Sequence, residues 1–475
     1  MTSTIPPKPI GYLLFLSVAA TLAGFLFGFD ASVVNGTVLA LAAAFGTSAA
    51  ATGFAVAVVL LGSAVGAFAA GQLSDHFGRR RVMMVTAVLF GVSAWGAGAA
   101  GSASVFVVFR LIGGLGVGAA CVVAPAYIAE ISPAHLRGRL TTLQQLAIVG
   151  GLQSAFLSNW LIARAAGGAE HLWLLHAPAW RWMFWVQLVP SAVYLLATLF
   201  LPESPRYLVM RGREAEARLV MARLWGALAD LDGLVADIRD SVGREAKMRF
   251  SDVLVPGTKR LLPIVAVGCA LAFFSQASGI NVVMYFGELL WHQAGFSEQN
   301  ALLINVTIGA NLILATLVSM ALVDRVGRRP LLLTGGAIMT AMLAALMVVF
   351  FLSARRADGT LTPTHTQAVI ALTAEHLYIF CFGASWGPVT WVLLGEMFPN
   401  RMRGSALAVA AAALWTANFV VTFTFPRLME AVGLGGAFAV YAGFALLSVG
   451  FVHRLVPETR GRTLEQMGES AAAAL

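Results

Sequence analysis

Charge is what this sequence has least of. Only 11% of its 475 residues are Asp, Glu, Lys or Arg, and 59% are hydrophobic, whereas a soluble domain carries about 25% charged residues. That shortage excludes a large soluble α/β enzyme, because many runs of about 20 apolar residues cannot all be buried away from water. Cysteine is nearly absent too. Cys121, Cys269 and Cys381 stand singly in apolar stretches, an odd number that fits neither a disulfide framework nor a thiolate metal set. No His, Cys or carboxylate cluster has metal-ligand spacing. The glycine run Gly113-Gly114-Leu115-Gly116 lies inside an apolar stretch and follows no strand, so it does not read as a phosphate cradle. No catalytic group, metal or cofactor is expected. The net charge of +8 reads as basic loops at a membrane surface, not as nucleic-acid binding.

What the sequence does have is apolar runs and small residues. Forty-eight glycines make poor soluble helices but let helices in lipid approach closely. The runs predict an all-α membrane protein of twelve transmembrane helices, with cores at 10–34, 52–73, 82–100, 104–130, 141–163, 180–201, 259–290, 300–323, 330–353, 367–397, 404–428 and 434–456. Met1 to Lys8 is short and polar with no typical cleavage site after it, so the first run reads as an uncleaved span. The domains expected are a six-helix half at 1–202, a polar helical insertion at 203–258, a second six-helix half at 259–456, and a tail at 457–475. Glu214 to Leu228 has amphipathic helical spacing within the insertion. Loops after even-numbered spans hold most of the arginines, which puts them and both termini in the cytoplasm.

A trio of charged motifs occurs twice. The first copy is Asp75-His76-Phe77-Gly78-Arg79-Arg80, then Glu130-Ile131-Ser132-Pro133 with Arg137-Gly138, then Pro202-Glu203-Ser204. The second is Asp324-Arg325-Val326-Gly327-Arg328-Arg329, then Glu396-Met397-Phe398-Pro399 with Arg403-Gly404, then Pro457-Glu458-Thr459. Asp75 and Asp324 are 249 residues apart, Glu130 and Glu396 266, and Glu203 and Glu458 255. Two related halves rocking against each other is the natural plan. Gly78 and Gly327 permit a sharp turn, and the arginines can grip the carboxylates in bidentate fashion. Asp75, Arg79, Arg80, Glu130, Arg137, Glu203, Arg206, Asp324, Arg328, Arg329, Glu396, Arg403 and Glu458 therefore form a candidate cytoplasmic charge latch. The bland alternative is a set of basic loops that only orient the chain.

Ionisable residues inside the spans are few. Asp30 in span one and Arg110 in span four have opposite signs, and each costs about 2.5–3.5 kcal/mol at the bilayer centre without a partner. They read either as a static pair tying two spans or as a proton switch, in which Asp30 takes a proton when Arg110 moves away.

Gly71-Gln72-Leu73-Ser74-Asp75 through Arg80, Pro202-Glu203-Ser204-Pro205-Arg206 and Pro457-Glu458-Thr459-Arg460-Gly461-Arg462 resemble the signatures of the sugar porter family, a branch of the major facilitator superfamily. The resemblance runs over about residues 10 to 467 and is nearest the bacterial sugar–proton symporters of the xylose type. It implies proton coupling at Asp30 and Arg110, and a sugar site at Gln145, Gln276, Asn281, Trp391, Trp415 and Asn418. Amides both donate and accept, and aromatic faces cover the C–H surface of a sugar ring. Tyr285 and Phe286 resemble the family's outer gate, and Gly387 and Pro388 would weaken span ten as a gate or discontinuity. Departures are Ser275 before Gln276, Leu414 before Trp415, and Asn311 one position from the family's span-eight amide, where Leu312 would stand.

The expected partners are a monosaccharide, a proton and the lipid bilayer, with no nucleic acid and a monomeric chain in the inner membrane. The reading is a sugar–proton symporter working by alternating access. A facilitative uniporter is the first rival and a membrane sugar sensor the second. A drug–proton antiporter is disfavoured by the neutral, amide-rich path.

Overall fold

The structure is a computed structural model that describes residues 10–225, 230–244, 253–255, 257–258, 260–357, 359–399 and 402–460, without the side chains of 10, 134, 135, 137–139, 141 and 241–244. It is nearly all helical. Among the described residues, eleven helices are long and apolar enough to cross a membrane. Spans one to ten are Gly11–Phe45, Ala49–Phe77, Arg79–Ala99, Ala103–Ile131, Thr142–Ala166, Ala179–Phe200, Pro263–Gln293, Glu298–Val326, Arg328–Leu352 and His365–Met397.

The last helix, Arg403–Leu455, has 53 residues. At 1.5 Å per residue it would be about 80 Å long, far more than a hydrocarbon layer of about 30 Å. Gly433 breaks it at φ 71°, ψ 176°, leaving 403–432 and 434–455 as spans eleven and twelve. The twelve-helix reading therefore holds.

Several spans are broken, each at an identifiable residue. Span one does not stop near residue 34. A tight turn at Val34–Thr37 leads into Val38–Phe45, which ends at Gly46 in the left-handed region. The polar Asn35 does not end the span because its amide is satisfied by protein. Span seven divides at Ser278-Gly279, with Gly279 at φ 85°. Span ten divides at Ser385 (φ −132°, ψ −85°), one residue before Trp386 opens the second helix. The break thus lies just ahead of Gly387 and Pro388. Pro388 falls in that helix's first turn, where a missing N–H costs nothing.

By their contacts the described residues form two compact units, those within 1–33, 61–158 and 174–246 in the first, and those within 34–60, 159–173 and 247–475 in the second. In the first unit, spans one and five meet through reciprocal glycines. A Cβ on Gly28 would strike the Ile148 carbonyl, and one on Gly151 the Phe25 carbonyl. Such small-residue contacts are how helices pack where lipid offers no hydrophobic drive. The first unit also carries the helices Pro205–Met210, Glu214–Trp225 and Leu231–Arg244. They bury Leu208, Val209, Ala217, Met221 and Val235 against one another. The second unit carries a short hairpin pairing Ala354–Arg355 with Leu361–Thr362.

Candidate functional site

In the first unit, Asp30 and Arg110 are fully buried and meet, with Nη1 of Arg110 3.0 Å from Oδ2 of Asp30. The contact is poorly aligned for a hydrogen bond. Arg110 Nη2 instead donates to the Asp30 backbone carbonyl at 3.0 Å. The second carboxylate oxygen accepts from Nε2 of Gln187 at 3.1 Å. The Arg110 guanidinium also lies 5.9 Å from the centre of the Phe184 ring. A buried ion pair stabilises only when its geometry and hydrogen bonds are good. This one is held from three sides, by Arg110, Gln187 and the Phe184 ring, with the direct contact to its counter-charge imperfectly aligned.

Gln187 is the member that the sequence reading missed. It stands at the break between Ala179–Trp185 and Leu188–Phe200, a lone amide after the tryptophan-rich start of span six. That isolation was the available signal.

The candidate sugar residues fall in both units. Gln145 belongs to the first and is half-buried. In the second, the broken span seven brings Gln276 and Asn281 together, the Asn281 amide donating to Oε1 of Gln276. Gln276 in turn donates to Ser275 Oγ at 2.9 Å, so the departure at Ser275 still gives Gln276 a polar partner. Asn418 is buried and accepts from Thr422 at 3.1 Å. Trp415 is half-buried and Trp391 is exposed by nearly half (45%). Tyr285 and Phe286 are buried, and Phe286 lies 5.2 Å from Phe425, centre to centre. Leu414 is buried. In span eight, Asn311 donates to the His376 carbonyl at 2.7 Å, while Leu312 packs where Gly383 has no side chain. His376 is pinned, with Nδ1 2.8 Å from the Leu372 carbonyl and Nε2 2.9 Å from Thr307.

The charged motifs form two clusters of the same design. In the first unit, Arg79 grips Glu130 through Nε and Nη2 at 3.0 Å each and reaches Asp75 at 2.9 Å. In the second, Arg328 grips Glu396 at 3.0 and 2.7 Å and reaches Asp324 at 3.0 Å. Ser204 Oγ donates to Glu130 at 2.5 Å, and Thr459 Oγ1 to Glu396 at 2.6 Å. Glu203 accepts from the backbone N–H groups of Arg79 and Arg80 at 2.9 and 3.3 Å. Glu458 does the same for Arg328 and Arg329 at 3.2 and 3.0 Å. Each of these two glutamates thus closes the N-terminus of a span, where a helix carries positive charge. The chain expected arginine–carboxylate pairs here; what it did not announce is that Glu203 and Glu458 serve helix ends. Gly78 (φ 95°) and Gly327 (φ 102°) make room, because a Cβ would run into Glu203 and Glu458 respectively.

Arg80 and Arg329 reach the ends of spans six and twelve, at the Leu199 and His453 carbonyls. Arg403 reaches the Phe398 carbonyl at 3.3 Å. Arg206 is the second residue of Pro205–Met210. The Arg137 side chain lies outside the described residues. Burial pushes the Glu458 carboxyl up, but the N–H groups of Arg460, Arg328, Arg329 and Thr459 outweigh it and hold it below the usual carboxylate range. Among the described residues, no group of three or more His, Cys, Asp or Glu could hold a metal ion.

Twelve spans and paired charge clusters of one design define a multi-pass membrane transporter. The family described as "Sugar (and other) transporter" matches residues 16–471. The chain belongs to this sugar transporter family of the major facilitator superfamily, whose members are carriers and not enzymes. It is 49% identical to a glucose transport protein of Synechocystis sp. over 96% of this chain and 97% of that one. It is 34% identical to the D-xylose-proton symporter of Escherichia coli K12, over 96% and 95%. Among solved structures, the inward open form of the E. coli xylose transporter XylE matches with TM-score 0.82 and 32% identity, covering 97% of this chain and all of that one.

Proposed function

We propose that this sugar transporter is a proton-coupled monosaccharide symporter working by alternating access, with the proton carried at Asp30. The observation that carries this reading is the Asp30 carboxylate, buried against Arg110 and Gln187 with one poorly aligned contact to its counter-charge. With Arg110 close, the Asp30 carboxylate has its counter-charge 3.0 Å away. With Arg110 withdrawn, an unpaired buried charge becomes costly, and a proton neutralises it. If the two arrangements belong to opposite-facing states, proton entry and sugar entry become one event. The D-xylose-proton symporter among the relatives supports the coupling, and the glucose transport protein supports a monosaccharide cargo.

The sugar contacts in this reading are Gln145, Gln276, Asn281, Trp391, Trp415 and Asn418, with Tyr285 and Phe286 as a gate and the Ser385–Pro388 break as a flexible point. The clusters around Arg79 and Arg328 brace the basic ends of the spans, which face the cytoplasm together with both termini. Residues 1–202 and 259–456 act as the two moving halves, with 203–258 as a helical insertion and 457–475 as a tail.

The test is uptake of labelled D-glucose and D-xylose into proteoliposomes with and without an imposed pH gradient. Accumulation should require the gradient and be accompanied by alkalinisation outside. Asp30→Asn should lose accumulation while keeping exchange of sugar for sugar. A variant that still concentrates sugar under the gradient removes Asp30 from the coupling. Wild-type uptake that ignores the gradient makes the protein a uniporter.

A further inference from the structure

Asn35 makes an unusual set of bonds. Its side-chain Nδ2 donates to the carbonyls of Val283 and Met284 at 3.2 and 2.9 Å. Its Oδ1 accepts from the backbone N–H of Glu288 at 3.1 Å and from Nδ2 of Asn305 at 2.8 Å. All of these groups belong to the second unit, and both asparagines are 1% exposed. In a regular helix the N–H of Glu288 would point at the carbonyl of Met284. Between them Phe286 leaves helical geometry, at φ −121°, ψ 19°. A side chain inserted into the helical ladder is one of the recognised causes of such a kink. The Asn35 carboxamide takes both ends of the disturbed turn, donating to one and accepting from the other.

A second observation is independent of these bonds. Gly287 lies on the same turn, and a Cβ there would stand 2.2 Å from Asn305 Oδ1 and 2.8 Å from Asn35 Nδ2. The space that any other residue would fill is occupied by the two amides. Asn35 itself stands in the Val34–Thr37 turn that bends span one.

We infer that Asn35 is a positioning residue for transport: it sets the shape of the second half of span seven, the segment that carries Tyr285 and Phe286. It touches no sugar in this assignment. Its bonds are made to the turn that carries the proposed gate residues, so they govern how fast that segment closes. The inference rests on the sugar-transport reading only for its kinetic part. The geometric part is read without sugar.

The experiment is hydrogen exchange by mass spectrometry on the full-length protein in detergent, followed by D-glucose exchange in proteoliposomes. In Asn35→Ala, amides of 283–288 should exchange about tenfold faster, the worth of one net buried hydrogen bond, while 263–276 in the first half of span seven stays unchanged. Gly287→Ala leaves Asn35 in place but puts a methyl where the amides meet, and should raise exchange over the same residues. In both variants turnover should fall several-fold with KM held within about twofold, since the sugar contacts are intact. The proposal is overturned if exchange at 283–288 is unaltered, or if it rises equally throughout span seven. A rise in KM with turnover preserved would overturn it as well, by making Asn35 a sugar contact. If D-glucose is not carried at all, the cargo assignment fails and the exchange result still decides the role of Asn35.

Discussion

Gln187 Nε2 donates to Asp30 Oδ1 at 3.1 Å, on the opposite carboxylate oxygen from the one facing Arg110. A charged group and a neutral amide thus share one buried carboxylate. Gln187→Leu leaves Oδ1 without that donor, and an unsatisfied buried acceptor costs about 1–3 kcal/mol. Thermal unfolding in detergent should shift down by several degrees. Gradient-driven sugar accumulation should weaken more than sugar exchange does.

Gly78 and Gly327 lie at φ 95° and 102° with ψ near 160°, a region almost confined to glycine and costing about 1–3 kcal/mol for other residues. Each also faces a glutamate where a Cβ would be. Gly78→Ala and Gly327→Ala should both lower thermal stability, by similar amounts because the two sites share one design. Gly212 also has positive φ, but no atom stands within 4 Å of its missing Cβ, so Gly212→Ala should cost less.

Arg79 is buried and forks onto Glu130. Arg79→Ala strands that carboxylate and should cost about 3–5 kcal/mol, the usual result of breaking a buried pair from one side. Arg79→Lys restores a charge but not the planar fork, and should recover only part of the loss. Denaturation in a graded detergent series reads both.

The depressed Glu458 carboxyl has a pH signature. A group whose folded pKa lies below its unfolded value of about 4.3 adds stability that is fully present above that value, and loses it as pH falls through the folded one. The stability gap between the parent protein and Glu458→Gln should therefore be constant from pH 8 to about pH 5. It should narrow as the pH is taken below 4. A gap that stays constant to the lowest pH would mean that the charge on Glu458 contributes nothing at the start of span nine.

Asn281 donates to Gln276 across the break in span seven. Asn281→Ala should raise the KM for sugar about threefold to tenfold, the worth of one or so neutral hydrogen bonds, with the fold retained. An unchanged KM over a panel of monosaccharides would take Asn281 out of the binding set.

Much of this was legible in the chain. Apolar length located the spans, since lipid demands about 20 apolar residues per crossing. The duplicated Asp, Glu and Arg motifs marked out arginines and carboxylates that would pair, because few other partners exist in so uncharged a chain; that Arg79 takes Glu130 and Arg328 takes Glu396 is read from the structure. Asp30 and Arg110 found each other for the same reason. Other features were not legible. Span one continues past Asn35 because a tertiary contact satisfies the amide, and hydropathy cannot see a hydrogen-bond partner 250 residues away. The break in span ten falls at Ser385 and not at the Gly387-Pro388 pair, since a proline in a first helical turn starts a helix instead of interrupting it.

The sequence by itself determined the solvent, the number of crossings, the two-fold plan and the family. Composition and repeated motifs carry those, and they need no coordinates. Only the tertiary structure decided that Gln187 completes the surroundings of Asp30, that Glu203 and Glu458 close helix ends, and that Asn35 fills a broken turn in span seven. In each case a polar group in an apolar medium must find a partner. Which partner it finds is settled by where the helices stop, bend and touch, and no local pattern records that.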